Sequence, residues 1–218
     1  MNSTHALVKS GPQQLATRFA AYQKLTVRQR KRWSEILFSL EMKNSYDVFD
    51  DHGVAVLRVR ELGEGVGSLL RRLLLGPFRP FSAQVSDLGT EEVVLELKRP
   101  FRFVFHRLEV RAADGELLGA IQKRWSWVRR IYDLQDAQGQ VVGQLFGPVW
   151  KPWTFEIRQG NEVQGVICKR WSGLLKEAFS DADNFGVDLA NLSDPSLKTL
   201  AFAATVLVDV VHFERAKT

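Results

Sequence analysis

From residue 46 to residue 189, short segments of the chain alternate apolar and polar residues, and clusters of Gly, Asp and Pro separate them. Alternation with a period of two is typical of β-strands with one buried face. Twelve segments show this pattern: YDVFD, VAVLRVR, FSAQVS, EVVLELK, FVFHRLEVR, ELLGAIQKR, WVRRIYDL, QVVGQLF, WTFEIRQ, EVQGVICKR, LKEAFSD and NFGVDL. The pattern therefore predicts twelve strands and a mainly β fold.

The breaks between these segments predict how the strands connect. Glycine stands where a tight hairpin needs positive φ in DDHG at 50–53, ADGE at 113–116, DAQGQ at 136–140 and RQGNE at 158–162. Successive hairpins build an antiparallel meander. A sheet this wide tends to close on itself, which removes its edges, so we expect a twelve-stranded antiparallel barrel.

One phrase occurs twice, as QKRWS at 122–126 and CKRWS at 168–172, each after a glycine, with Gly143 between the two copies. The repeat indicates one hairpin unit used again. Its tryptophans, Trp125 and Trp171, are expected in the barrel core or at its rim, because large aromatic side chains dominate buried area. The neighbouring Lys123, Arg124, Lys169 and Arg170 are then expected to face outward as a basic patch.

The last element has a different pattern. Asp194, Pro195 and Ser196 are typical of a helix N-cap followed by proline at the first helical position, and the residues from 197 to 213 are apolar nearly all round. The uninterrupted apolar run is far shorter than the roughly 20 residues that a membrane span needs. We therefore expect a helix at about 195–214 enclosed by the barrel, with a single-pass C-terminal anchor as the alternative.

Residues 1–45 hold eight basic residues and two acidic ones, so their net charge of +6 exceeds the +5 of the whole chain. Leu15, Phe19, Tyr22 and Leu25 recur there at helical spacing. The pattern predicts a basic N-terminal helical arm, 1–45, before a barrel domain, 46–218. Such a helix either lies on an anionic membrane surface or packs on the domain.

Composition adds little chemistry. The chain has 218 residues and a single cysteine, Cys168, which excludes an intramolecular disulfide and suits a reducing compartment. The first thirty residues contain no secretory signal or apolar anchor, so we expect a cytoplasmic protein. The four histidines are scattered, and no catalytic triad, phosphate loop or metal-binding spacing is present. An enzyme is not expected.

Five motifs carry a resemblance to a known family. They are RPF at 79–81, LKRPF at 97–101, GPVWKPWTFEI at 147–157, KRWSGLLKEAFSDADNFGVDL at 169–189 and LKTLAFAATVLVDVVHFE at 197–214. In this order they resemble the phospholipid scramblase family, within the Tubby C-terminal-like and LURP-one-related superfamily. The resemblance implies a barrel around a central helix, phospholipid binding at the inner face of a membrane, and calcium-dependent lipid movement between leaflets.

The resemblance also implies a calcium (Ca²⁺) site in SDADNFGVDLANLSD, residues 180–194, with Asp181, Asp183 and Asp188 as the candidate carboxylates. An EF-hand loop beginning at Asp181 would need oxygen ligands where this chain has Phe185 and Leu192. Alternation over 184–189 favours a half-buried strand instead.

Three regions that are cysteine-rich in the eukaryotic family members contain no cysteine here: GSLLRRLLLGPF at 67–78, PFRFVFH at 100–106 and GPVWKPW at 147–153. Apolar and aromatic residues beside basic ones anchor proteins at membrane surfaces, so we expect direct docking on an anionic phospholipid membrane. The candidates are Leu69, Leu70, Leu73, Leu74, Leu75, Phe78, Trp150 and Trp153 for insertion, with Arg71, Arg72 and Lys151 at headgroups. The alternative is a short capping helix with core tryptophans.

Asp209 is the one carboxylate in the apolar C-terminal segment. It is either a structural hydrogen-bonded group at the barrel mouth or a functional group. A nucleic-acid duplex is not an expected partner, because the barrel has a net charge near zero. The alternative function is a soluble Tubby-like interaction scaffold, since a barrel that hides its only apolar helix offers no surface for spanning a bilayer.

Overall fold

The computed structural model describes residues 11–30, 45–62, 80–100, 107–127, 129–151, 153–169 and 184–210. These residues form two helices and twelve strands. The helices are α1 (Pro12–Ala21) and α2 (Pro195–Val208). The strands are β1 (Lys24–Gln29), β2 (Ser45–Phe49), β3 (Ala55–Glu61), β4 (Phe81–Asp87), β5 (Val93–Arg99), β6 (Arg107–Ala112), β7 (Leu117–Lys123), β8 (Arg129–Asp136), β9 (Val141–Pro148), β10 (Thr154–Gln159), β11 (Glu162–Lys169) and β12 (Asn184–Asp188).

The strands form one closed antiparallel barrel, as predicted. Each strand pairs with its neighbours in chain order, and β1 closes the ring against β12. Leu25 of β1 lies opposite Val187, and Val27 lies opposite Val48. These four side chains are buried, because every second residue of each strand faces the interior.

Strand β1 corrects one prediction. The helical spacing was read through Leu25, but α1 ends at Ala21 and Leu25 lies in a barrel strand. The error has a simple cause: Leu25 follows Tyr22 by three residues, which fits a helix, and it also alternates with Val27, which fits a strand. The predicted strand LKEAFSD lies outside the described residues.

Helix α2 fills the barrel interior. Its N-cap is Asp194, whose side chain accepts a hydrogen bond of 2.8 Å from the Ser196 backbone N–H, and Pro195 follows as predicted. All described residues from Leu197 onward are buried. The enclosed helix is thus confirmed as far as residue 210, and the predicted residues 211–214 lie outside the described part of the chain.

The evenly spaced glycines explain how the wall accommodates this helix. A Cβ atom on Gly143 would lie 2.9 Å from Cδ1 of Leu197 in α2. On Gly119, a Cβ would lie 2.3 Å from a backbone oxygen of β8 and 3.0 Å from Cδ2 of Leu200. On Gly165 it would lie 2.4 Å from the backbone oxygen of Asp188. The repeat therefore marks close approaches of the wall to α2 at Gly119 and Gly143, and of neighbouring strands to each other at Gly165.

Because successive strands run in opposite directions, their connections alternate between the two ends of the barrel. One end, which we call the turn end, carries the short turns that follow the even-numbered strands, and α2 begins there. The odd-numbered strands finish at the other end, which we call the tryptophan end because Trp125, Trp127, Trp150 and Trp153 follow β7 and β9 there. Helix α2 also finishes at the tryptophan end.

Helix α1 packs at the turn end. Leu15 and Phe19 are buried, and the Phe19 ring lies 5.5 Å from the ring of Phe202 in α2, measured between centroids. Arg18 forms an ion pair with Asp87 of β4. The apolar face of α1 is therefore occupied by packing on the domain, which was one of the two interpretations of the arm.

Candidate functional site

Four exposed tryptophans gather at one end of the barrel. Trp125 and Trp127 lie between β7 and β8, while Trp150 and Trp153 flank the connection of β9 to β10. Their exposed fractions are 66%, 85%, 73% and 49%. Strand β8 pairs with both β7 and β9, so the two connections are neighbours on the rim. We call the described residues of these connections tryptophan loop 1 (124–127) and tryptophan loop 2 (149–151 and 153).

Of the two places predicted for Trp125, the barrel core and its rim, the exposure of its side chain excludes the core. It follows the last residue of β7 and is therefore at the rim, with its ring directed away from the interior. Trp171 lies outside the described residues. Trp150 and Trp153 are not core residues either, which excludes that alternative for both side chains.

Hydrogen bonds hold loop 1. The backbone N–H of Arg124 donates to the carbonyl of Ile131 at 2.9 Å, and the backbone N–H of Arg129 donates to Oγ of Ser126 at 3.1 Å. The rings of Trp125 and Trp127 meet edge to face, with centroids 5.2 Å apart. The two indoles thus form one exposed pair on a fixed backbone.

Loop 2 is held from both sides. The backbone N–H of Lys169 in β11 donates to the Trp153 carbonyl at 2.8 Å. From β8, the guanidinium group of Arg130 donates to the Lys151 carbonyl at 3.2 Å and lies 4.5 Å from the centroid of the Phe155 ring. Partial burial of this guanidinium lowers the pKa of Arg130. Arg130 therefore braces loop 2 from the strand that begins after loop 1.

The predicted basic patch is divided by these loops. Lys123 and Arg124 stand at the end of β7, and Lys169 stands at the end of β11. Four interstrand spacings separate these two strands, about 19 Å around the wall. Arg124 lies 3.7 Å from the Asp133 carboxylate, and Nζ of Lys169 lies 5.3 Å from the centroid of the Trp153 ring. Arg170 lies outside the described residues.

The leucine-rich segment at 67–78 carries the remaining candidates for membrane insertion and two arginines. Leu69, Leu70, Arg71, Arg72, Leu73, Leu74, Leu75 and Phe78 lie outside the described residues. The strands that flank the segment do show where it connects: β3 finishes with Glu61 at the tryptophan end, and β4 begins there with Phe81.

The candidate calcium carboxylates are only partly placed. Asp181 and Asp183 lie outside the described residues, whereas Asp188 is the last residue of β12. Its carboxylate lies 3.9 Å from Nζ of Lys24 and accepts a hydrogen bond of 3.1 Å from the Ala190 N–H. About 13 Å of strand separates it from Asn184, so Asp188 stands at the turn end and Asn184 at the tryptophan end.

Other parts of that segment have structural roles. Phe185 and Val187 are buried in the barrel, which confirms the half-buried strand, and Asp194 caps α2. Within the described residues, no group of three or more His, Cys, Asp or Glu side chains is arranged to hold a metal ion.

Asp209 follows α2 at the tryptophan end and is 5% exposed. The hydroxyl group of Tyr46 in β2 donates a hydrogen bond of 2.7 Å to its carboxylate. This contact is the structural, hydrogen-bonded arrangement that sequence analysis gave as one of its two interpretations.

Sequence reasoning missed several residues at this end. Trp127, Arg129 and Arg130 were assigned to a strand as part of WVRRIYDL, but Trp127 precedes β8 and is the most exposed of the four tryptophans. The signal was present in KRWSWVRR, where two basic pairs bracket two tryptophans. Glu61 and Arg99 are buried charged residues that were also missed. They continue the inward alternation of β3 and β5 to the tryptophan end.

Comparisons with known proteins agree with this architecture. The sequence profile described as Scramblase matches residues 1–215. Human phospholipid scramblase 2 is 29% identical over 88% of this chain and 68% of its own length. Mouse phospholipid scramblase 1 is 30% identical over 90% of this chain and 62% of its own length, and the human protein is 28% identical over 87% and 63%. The chain thus matches under two thirds of both scramblase 1 sequences. No solved structure matches significantly.

Neither described helix has the length and apolar character that crossing a bilayer would require.

Proposed function

Since the chain belongs to the scramblase family, we propose that it is a phospholipid-scramblase-like protein that binds phospholipid membranes and promotes movement of phospholipids between the two leaflets. The names of its relatives support the activity. The observation that carries the proposal in this structure is the gathering of exposed tryptophans at the barrel end where α2 finishes. Indole rings favour the membrane–water interface, which a protein acting on phospholipids must occupy.

The membrane partner in this proposal is anionic, and the protein is peripheral at the cytoplasmic face. Basic residues near a bilayer are attracted to the anionic lipids of the cytoplasmic leaflet. Lys123, Arg124, Lys151 and Lys169 stand at the tryptophan end, where they would meet such a surface.

Calcium dependence belongs to the same proposal, with Asp181 and Asp183 as the ligands that the family resemblance implies. Asp188 is left out because Lys24 and the Ala190 N–H already engage its carboxylate. Carboxylate oxygens are the ligands that calcium prefers. An Asp181→Asn, Asp183→Asn variant is therefore expected to lose any calcium stimulation, whereas Asp188→Asn keeps it.

A second candidate is lipid binding without transport. It is favoured by the burial of all described residues from Leu197 to Val210, which leaves α2 no lipid-facing surface. Crossing of headgroups would then require distortion of the bilayer or release of the helix.

Leaflet exchange in vesicles reconstituted with the purified chain distinguishes these functions. Fluorescent phospholipid in the inner leaflet is protected from an external reductant unless it crosses. The assay is run with and without calcium. Exchange faster than in protein-free vesicles in either condition supports the scramblase-like function. Binding to vesicles with exchange at the protein-free rate supports the second candidate, and absence of both contradicts the proposal.

A further inference from the structure

The exposed apolar side chains of the barrel differ between its two ends. At the turn end, large exposed apolar residues of the described chain are valines, Val54, Val141 and Val163. At the tryptophan end, they include four indoles on two adjacent loops. Tryptophan combines a large apolar ring with a polar N–H group, and this combination partitions to the headgroup region of a bilayer.

The loops hold their indoles in place before any partner binds. Loop 1 is fixed by the hydrogen bonds of Arg124 and Arg129, and loop 2 by those of Arg130 and Lys169. The Trp125 and Trp127 rings also contact each other. The rings are therefore exposed on loops whose backbone is already ordered by hydrogen bonds. Binding to a membrane then needs little further ordering of the loop backbone.

All charged residues within the two loops and at their edges are basic. Residues 123–130 and 149–153 contain five basic residues, Lys123, Arg124, Arg129, Arg130 and Lys151, and no acidic one. Arg124 lies 3.7 Å from the carboxylate of Asp133 in β8. Indoles flanked by basic side chains complement a surface whose polar layer is anionic and whose next layer is apolar.

We propose that tryptophan loops 1 and 2 together form a preorganised docking surface for an anionic phospholipid bilayer. The four indoles enter the interfacial layer, and Lys123, Arg124, Arg129 and Lys151 contact phosphate groups, while Arg130 braces loop 2. The barrel then stands with its tryptophan end on the membrane and α1 at the distal end. This inference rests on the proposed function, because it takes a phospholipid membrane as the partner, and it adds Trp125, Trp127 and Arg129 to the contact surface.

Co-sedimentation with vesicles tests the surface. The double variant Trp127→Asp, Trp150→Asp places two charges in the interfacial layer, so we expect binding to phosphatidylcholine–phosphatidylserine vesicles to weaken by about tenfold or more. The matched control, Val54→Asp with Val141→Asp, changes two exposed apolar residues at the turn end and is expected to bind like the wild type. Thermal melting checks that both variants fold.

A charge variant tests the headgroup contact separately. The double variant Arg129→Gln, Lys151→Gln is expected to show a smaller preference than the wild type for phosphatidylserine-containing vesicles over pure phosphatidylcholine vesicles. In the wild type, added salt is expected to reduce this preference, because salt screens the attraction between basic residues and anionic lipid. Unchanged preference in the folded variant would overturn the role of the basic residues.

Quenching by brominated phospholipid locates the indoles. Vesicles containing it are expected to quench wild-type fluorescence, and the Trp125→Phe, Trp127→Phe, Trp150→Phe, Trp153→Phe variant is expected to show much weaker quenching. If the wild type binds vesicles and exchanges lipid, and the Trp127→Asp, Trp150→Asp variant binds vesicles equally well, the docking surface is overturned. The proposed function is then still supported. Failure of wild type to bind any vesicle contradicts the function itself. Loop fluorescence that responds to single-stranded oligonucleotide and not to vesicles assigns the surface to nucleic acid and also overturns the inference.

Discussion

The hydroxyl group of Tyr46 donates a buried hydrogen bond of 2.7 Å to the carboxylate of Asp209, joining strand β2 to the end of helix α2. The two residues are 163 positions apart in the chain. This contact fixes the end of the enclosed helix against the wall at the tryptophan end. It gives the single carboxylate of an otherwise apolar segment a structural role.

Replacing Tyr46 with Phe tests that role. The change removes the donor and keeps the ring, so we expect the free energy of unfolding to fall by about 1–3 kcal/mol, the range for leaving a buried hydrogen-bonding group without its partner. Urea denaturation measures the change. Asp209→Asn keeps an acceptor at the same position and is expected to be milder. A Tyr46→Phe protein as stable as wild type would show that the contact is dispensable.

Lys198 gives a second prediction, at the opposite end of α2. Its ammonium group donates hydrogen bonds of 2.9 Å and 2.8 Å to the carbonyls of Ala20 and Tyr22, which terminate α1. Lys198→Met keeps the aliphatic stem but removes both bonds, so α1 should be held less firmly, with a loss of about 1–3 kcal/mol in stability.

Hydrogen exchange measures this effect locally. Amides of α1 are expected to exchange faster in Lys198→Met, while those of β8 and β9 stay protected. Lys24→Met removes a more exposed lysine that lies 3.9 Å from Asp188, and it is expected to change stability by about 0.5 kcal/mol or less. Equal protection of α1 amides in the wild type and the Lys198→Met variant would show that the hydrogen bonds of Lys198 do not hold α1 in place.

Close approach at the repeated glycines gives a third prediction. A methyl group on Gly165 would lie 2.4 Å from the Asp188 carbonyl oxygen, which belongs to the paired backbone and cannot rotate away. We expect Gly165→Ala to destabilise the fold by about 1–3 kcal/mol or more, the range for overpacking. Gly11→Ala is the control, because no atom lies within 4 Å of that Cβ position. Similar melting temperatures for the two variants would disprove the packing explanation.

Much of the fold could be predicted because the barrel imposes a simple pattern. Alternation in segments such as VAVLRVR follows directly from one face of each strand pointing into the barrel, and the apolar character of α2 all round follows from its enclosure. Strand β1 was missed because six residues with two buried positions, Leu25 and Val27, continue a helical spacing equally well. The pairings with β2 and β12, which lie outside the segment itself, decide between the two.

The candidate site was harder to predict for a physical reason. The prediction left Trp125 either in the barrel core or at its rim, because large aromatic side chains dominate buried area and alternation cannot show where a strand stops. Strand β7 ends at Lys123, so the inward–outward rule no longer applies two residues later. Likewise, the two KRWS copies suggested one patch, but the order of strands places their basic residues on either side of the tryptophan loops.

Cys168 gives the final prediction, on pH. Burial, with a smaller effect from the charge of Asp188, raises the pKa of this thiol from 9.0 to about 11. A thiol reacts as its thiolate, so alkylation of the folded protein at neutral pH should be about 100-fold slower than in urea, and its rate should rise with pH up to about 11. Because the folded thiol keeps its proton where the unfolded one has lost it, this group's contribution to stability is complete below pH 9.0 and is lost as pH rises toward 11. Asp188→Asn should raise the alkylation rate at a given pH, and equal rates in buffer and in urea would contradict the shielding of Cys168 by the barrel wall.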